Sequence, residues 1–209
     1  MKVLITGGNG GIAQGIKKVL EGSFKDITIL TPGKETLDVS NKDRVKEYIE
    51  ENNPDILINC AGFIEPSSIK DSDIDIFERH FIINTLASYY CIKYAININP
   101  KVVIINIGST AAFEGRENWG AYCASKAALM SLSETVTREG YECYSIHPAR
   151  TLTKMRERLF ANEDKETLMS PDRIGSFVLK VLGNQFKNGS HIIVKKDYFY
   201  VLPSRDCPK

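Results

Sequence analysis

Short, nearly continuous apolar runs recur along this chain of 209 residues, and between them apolar residues fall at helical spacing. That alternation leaves few folds open, because a strand apolar along its whole length must be covered on both faces. Residues 3–5, 27–30, 55–59, 102–107, 143–146 and 192–194 read as such strands. Ile12, Ile16, Val19 and Leu20 mark one face of a helix after the first of them. Ser40 with Asp43 fits a capping box opening a helix whose apolar side is Val45, Tyr48 and Ile49. Longer helices are expected over 74–96 and 121–139 and another opening near Pro171, with a polar, charged stretch over 154–167. The expected fold class is α/β: a single doubly wound domain over residues 1–209, on a parallel sheet of about seven strands.

Charge narrows the partners. Lys and Arg number 27 against 26 Asp and Glu, a formal net charge of +1, so nothing steers the chain toward nucleic acid or an anionic membrane. Most of these cations are expected to be solvated surface. The five cysteines, at 60, 91, 123, 143 and 207, form no C-x-x-C pair and suggest neither a disulfide framework nor a zinc site. Only three apolar residues stand between Lys2 and Gly7 apart from Thr6, so no signal peptide is expected, and no apolar run has membrane-spanning length. These features together predict a soluble cytoplasmic protein.

The glycine cluster Thr6-Gly7-Gly8-Asn9-Gly10-Gly11-Ile12-Ala13 sits between the first strand and the first helix. It fits G-x-G-x-x-A from Gly8 and G-x-x-x-G-x-A from Gly7. Glycines there let the backbone turn sharply and let a pyrophosphate reach the helix N-terminus, where free N–H groups and the dipole favour anions. A plain turn needing positive φ would use glycines too. The strand–helix context favours a nucleotide site.

Tyr122 and Lys126 lie at i and i+4, on one helical face. A nearby cation favours phenolate and brings the tyrosine closer to acid–base work at neutral pH. Ser109 follows the most strand-like run, at a C-terminal strand end, where open α/β sheets bind ligands. Taken alone, the Tyr–Lys pair would read as a surface contact.

In combination these residues resemble the short-chain dehydrogenase/reductase family, over nearly the whole chain. Its glycine motif matches Thr6-Gly7-x-x-x-Gly11-x-Ala13, with alanine for the usual last glycine. Its adenine-side motif matches Asp38-Val39, and its Asn-Ala-Gly strand end matches Asn59, Ala61 and Gly62 with Cys60 inserted. The tetrad of the family matches Asn84, Ser109, Tyr122 and Lys126, with Ser109 thirteen residues before Tyr122. Its Pro-Gly loop over the nicotinamide matches Pro148 through Thr151 and Thr153, with Ala149 for glycine. The resemblance implies a Rossmann-type fold, an NAD(P) cofactor held by Gly7, Asn9, Gly10, Gly11 and Ile12, and a homodimer or homotetramer. It also implies roles: Tyr122 exchanges a proton with the reacting oxygen, Lys126 lowers the Tyr122 pKa and holds the nicotinamide ribose, Ser109 hydrogen-bonds that oxygen, and Asn84 positions a proton-relaying water.

An acidic residue ending the second strand would favour NAD. Here Leu30-Thr31-Pro32-Gly33-Lys34 has no carboxylate until Glu35, and Thr31 and Lys34 could hold a 2′-phosphate, which favours NADPH (NADP) over NADH; an ordinary turn with an exposed lysine reads nearly as well. The helix that usually follows this strand in the family is expected to be reduced or missing. The run Pro148-x-Arg150-Thr151-x-Thr153-x-Met155-Arg156 resembles the reductase half of bacterial enzymes that make CDP-ribitol by reducing a pentulose phosphate; no cytidylyltransferase part like theirs is expected in these residues. Arg150 and Arg156, with Arg116 as a third, could clamp a substrate phosphate through the planar guanidinium fork, or could make ion pairs with Glu157 or Glu163. Trp119 could line the pocket or pack at a subunit contact. The resulting expectation is reduction of a phosphorylated or CDP-linked sugar to its polyol for bacterial capsule or surface polysaccharide. Its alternatives are a short-chain reductase of another carbonyl class and a dinucleotide-binding sensor without chemistry. His80 and His191 lack metal-ligand spacing and read as helix-surface and strand-end residues.

Overall fold

The six apolar runs become the six parallel strands of one sheet in the computed structural model, which describes residues 1–202. They are β1 (Lys2–Ile5), β2 (Thr28–Leu30), β3 (Ile56–Asn59), β4 (Val103–Ile107), β5 (Cys143–Pro148) and β6 (His191–Val194). A seventh strand, β7 (Phe199–Leu202), pairs antiparallel with β6, so the sheet is not wholly parallel as expected. The reason is reach. Residues 195–198 suffice for a hairpin, closed here by Lys195 N donating to Tyr198 O at 2.9 Å, whereas a parallel crossover needs about a dozen.

Strand order is β2-β1-β3-β4-β5-β6-β7. The connections leave β1 in opposite directions, so the crevice between the C-terminal ends of β1 and β3 is a topological switch point, where ligands bind in such sheets. Alternate strand residues feed two cores. Val3, Ile5 and Ile58 face α1 (Gly11–Ser23) and α7 (Pro171–Leu182). Leu4, Leu57 and Ile104 face α2 (Lys42–Asn52), α4 (Ala87–Ile98) and the end of α5 (Gly120–Arg138). The helices α1 and α7 cross almost backbone to backbone: a Cβ on Gly15 would lie 2.6 Å from the Pro171 carbonyl carbon, and one on Gly175 would lie 2.8 Å from Gly15 O.

Several boundaries differ from the sequence expectation. Asn41, not Ser40, caps α2, its side chain accepting from the Asp43 and Arg44 amides, because Ser40 is spent on Asp38. The helix expected over 74–96 is three pieces: α3 (Ile74–Phe81), a π turn (Ile82–Leu86) and α4. The polar stretch holds α6 (Lys154–Leu159), capped by Thr153, and a 3-10 turn (Lys165–Thr167). No helix intervenes between β2 and α2, as expected. Cys60, Cys91, Cys123 and Cys143 are free; Cys207 lies outside the described residues. Among the described residues no helix is long and apolar enough to cross a membrane, and no group of His, Cys, Asp or Glu is arranged for a metal.

Candidate active site

The chain leaves β1 through Gly7, at φ +68°, with so little room that a Cβ would sit 2.7 Å from Ala61 Cα. Only glycine combines that dihedral with that approach. Thr6 Oγ1 accepts from the Cys60 and Ala61 amides at 3.0 and 3.2 Å, stitching the ends of β1 and β3 together at the switch point. Gly10 then opens α1 with no side-chain cap, an N-terminus at which backbone N–H groups can meet an anion. A cavity of about 530 Å³ begins at these glycines, lined by Gly7, Asn9, Gly10, Gly11 and Ile12. That size suits a ligand as large as a dinucleotide.

At one end lie Lys34, Asp38 and Val39. The Asp38 carboxylate accepts from Ser40 Oγ and N at 2.6 and 3.0 Å and stands 3.8 Å from Lys34 Nζ; these contacts, the Ser40 hydroxyl foremost, hold it below the usual carboxylate range. Ala61 and Gly62 line the middle. Thr31 and Asn59 do not line it. The Thr31 backbone packs against Gly8, and the Asn59 amide donates to Asn106 Oδ1 at 2.8 Å, inside the sheet.

At the other end Tyr122 and Lys126 rise from the first turns of α5, on one side of that helix. Lys126 is 4% exposed and donates from Nζ to Ile107 O at 3.0 Å, at the end of β4; burial takes its pKa down to about 8. The Tyr122 phenol is pushed up by burial, and the nearby Ser109 hydroxyl and, more distantly, Arg116 pull it back. The expected lowering by Lys126 is not what this geometry shows. Its ammonium sits 5.9 Å from the phenol ring centroid and is itself buried, so desolvation outweighs charge. Asn84 is fully buried in the π turn and lines neither cavity. Its Oδ1 accepts from Phe63 N at 2.8 Å, and its Nδ2 donates to Phe63 O at 2.9 Å and Ser125 Oγ at 3.0 Å.

Tyr122 also borders a second cavity, of about 110 Å³, together with Ser109, Trp119 and Arg116. Arg150 and Arg156 line it as well, and so do Pro148 and Thr151, which the resemblance had placed at the cofactor. Thr153 borders both cavities. Both arginines meet Glu163: Arg156 grips it at 2.6 and 2.7 Å through two nitrogens, and Arg150 Nη1 stands 3.4 Å away. Arg116 pairs with Glu114 at 2.8 Å and reaches Thr110 Oγ1 at 3.1 Å. The Trp119 ring stands 5.9 Å from that of Phe160, just past α6, and Met155, Arg156 and Leu159 of that helix line this cavity.

Sequence reasoning missed Arg79, which lines the larger cavity from α3 with its guanidinium 4.4 Å from the Phe63 ring centroid. An arginine on an amphipathic helix carries no signal that would set it apart. It also misplaced His80, which is buried rather than on the helix surface, its Nδ1 2.7 Å from Ile76 O and its Nε2 accepting from Glu65 N at 3.1 Å.

A switch-point crevice with a glycine turn, and a Tyr–Lys pair one helical turn apart beside a serine hydroxyl, define a Rossmann-type dinucleotide-binding protein with a group able to hand a proton to an oxygen. Residues 34–164 match the short chain dehydrogenase family, and the chain belongs to that family. It is 33% identical over 191 residues to a 3-ketodihydrosphingosine reductase of Dictyostelium discoideum, covering 81% of this chain and 55% of that protein. It is 32% identical over 129 residues to a 2-keto-3-deoxy-L-fuconate dehydrogenase of Xanthomonas campestris pv. campestris, covering 56% of this chain and 42% of that one. The alignments therefore span about half the length of these two relatives. The solved structure of a 4-hydroxyisoleucine dehydrogenase complexed with NADH superposes with a TM-score of 0.77 at 24% identity, covering 93% of this chain and 96% of that one, which shows a shared fold.

Proposed function

We propose that residues 1–209 form one NAD(P)H-dependent reductase domain that converts a phosphorylated or CDP-linked sugar to its polyol, in bacterial capsule or surface polysaccharide synthesis. The observation that carries this reading is the position of Tyr122, at the junction of a dinucleotide-sized cavity and a small one ringed by Arg116, Arg150 and Arg156.

The glycine turn and the start of α1 would hold the pyrophosphate, Asp38 and Val39 the adenosine side, and Tyr122 and Lys126 the nicotinamide ribose. Lys34, at the same end of the cavity, favours a 2′-phosphate and therefore NADPH. Bound there, the nicotinamide supplies the hydride. The protein's own residues handle the proton. Tyr122 delivers one from its phenol to the carbonyl oxygen, or removes one from the alcohol in reverse. Ser109 donates to that oxygen as charge develops on it, from its place beside Tyr122 in the wall of the smaller cavity. Asn84 fixes the Phe63 backbone that walls the cavity near Lys126. On the substrate side, a phosphate would take the place of the Glu163 carboxylate on Arg156 and Arg150, whose planar forks suit either anion. The same reading makes the protein a cytoplasmic homodimer or homotetramer, supported by Phe77, Leu86 and Tyr89 standing exposed on neighbouring helical turns.

The test is loss of reduced-nicotinamide absorbance with pentulose phosphates, CDP-linked sugars and neutral ketones, for the wild type and Tyr122→Phe. The wild type is expected to prefer NADPH and the phosphorylated or CDP-linked compounds. Y122F, which gives up one ribose contact while Lys126 stays, is expected to keep its dinucleotide affinity within about tenfold and lose about 10³-fold in kcat. Turnover of neutral ketones alone would overturn the sugar reading in favour of another carbonyl class, which the apolar Ile64, Leu159 and Met155 in the cavity wall would suit. Undiminished turnover in Y122F would overturn the mechanism.

A further inference from the structure

A buried chain of ionisable side chains leads from Ser109 through β5 and β6 to α5. His147, on β5 and fully buried, has Nδ1 3.3 Å from the Ser109 carbonyl oxygen and Nε2 3.2 Å from Nδ1 of His191 on β6. His191 Nε2 lies 3.2 Å from Glu134 Oε1 on α5. The His147 ring runs so close beneath Gly108 that any Cβ at that position would overlap it, and the Phe113 ring closes on it edge-on at 4.8 Å between centroids. The site thus has a glycine where the imidazole passes, one residue before Ser109.

Counting protons assigns the ring states. A neutral imidazole has one N–H and one lone pair. The Ser109 carbonyl can only accept, so His147 must donate from Nδ1 and accept at Nε2. His191 must then donate from Nδ1, and its Nε2 lies 3.2 Å from Glu134 Oε1, an ion-pair distance without hydrogen-bond geometry. These contacts fix a neutral His147 carrying its proton on Nδ1, and the carboxylate beside His191 Nε2 favours an imidazolium there. Burial first, then the charge of His191 and of Lys126, push the His147 pKa down to about 3, which agrees with its being the neutral ring.

We propose that His147 is a positioning residue for Ser109, its Nδ1–H anchoring the Ser109 carbonyl, while an imidazolium at His191, beside Glu134, donates to Nε2 and holds that tautomer. The proposal rests on the reading of Ser109 as the hydroxyl facing the reacting oxygen. It also makes a particular substitution harmless to the relay. The amide of Glu134→Gln can donate to a neutral His191, which still donates from Nδ1 to His147.

The first test reads ring-nitrogen states by 15N NMR on the protein without ligands, at neutral pH. The chain has three histidines, so each signal is assignable by substitution. His80, with Nδ1 at the Ile76 carbonyl and Nε2 facing the Glu65 amide, is the reference for a neutral Nδ1–H ring. His147 is expected to match it and His191 to carry two protons. In E134Q, His191 is expected to become neutral with His147 unchanged. A His147 protonated on Nε2, or a neutral His191 in the wild type, overturns the proposal.

The second test compares His147→Asn, whose amide nitrogen can stand near the place of Nδ1, with His147→Leu. Tyr122 ionisation is followed by 13C NMR of labelled tyrosine. Displacing Ser109 takes away the hydroxyl that pulls the phenol pKa down, so H147L is expected to raise it by about one unit and H147N to leave it near the wild type. An equal shift in both variants, or none in H147L, overturns the positioning role. Both tests read the free protein, so their failure leaves the reductase reading standing, and an absence of turnover leaves them unaffected.

Discussion

Lys126 shows how a single residue can be legible in type and illegible in state. Its spacing from Tyr122 is visible in the sequence, but its burial to 4% exposure and its bond to the Ile107 carbonyl come from α5 lying across the end of β4. Burial lowers its pKa from 10.5 to about 8, so the unfolded chain binds this proton more tightly than the folded one. The folded state is therefore penalised fully below about pH 8, and the penalty fades as pH rises from about 8 toward 10.5. The shift corresponds to about 3 kcal/mol, against about 1 kcal/mol for the hydrogen bond lost on substitution. Lys126→Met is expected to be more stable than the wild type by about 1–2 kcal/mol at pH 7, with the gain gone by about pH 10. Urea denaturation at the two pH values measures this, and a less stable K126M at pH 7 would contradict the burial account.

Among the elements, the π turn and α6 owe most to contacts from elsewhere. The sequence reads as one long helix over 74–96. Asn84 interrupts it because its amide holds both backbone groups of Phe63, which no periodicity encodes. Asn84→Ala strands those groups in the interior and is expected to cost about 2–4 kcal/mol, read from the shift of the denaturation midpoint. In sequence 154–167 is only a polar, charged stretch, yet Thr153 caps a short helix there and Arg156 and Glu163 cross-brace it. Glu163→Gln withdraws the charge that holds Arg156. It is expected to tighten inorganic phosphate binding about three- to tenfold by calorimetry, the direction required if the arginines serve as an anion clamp. Unchanged affinity would make them purely structural.

Across the whole molecule, the glycine turn is only as good as the helix behind it, and α1 is seated by its crossing with α7 at Gly15 and Gly175. Gly15→Ala would force the two helices apart, at an expected cost of about 1–3 kcal/mol, and would weaken dinucleotide binding as the start of α1 shifts. Thermal unfolding and cofactor titration separate the two effects. The alternation of apolar runs with helical periods was enough to settle the α/β layering, because each buried strand demands cover on both faces. The ordered motifs placed the glycine turn, Ser109, Tyr122 and Lys126 along the chain with nothing else needed. Local signals of that kind survive in one dimension. The antiparallel β7, the pinning of Asn84 and the His147–His191–Glu134 chain do not, because each depends on residues distant in sequence meeting at a few ångströms. Only the tertiary structure brings those partners together, and burial then decides the charge each group carries.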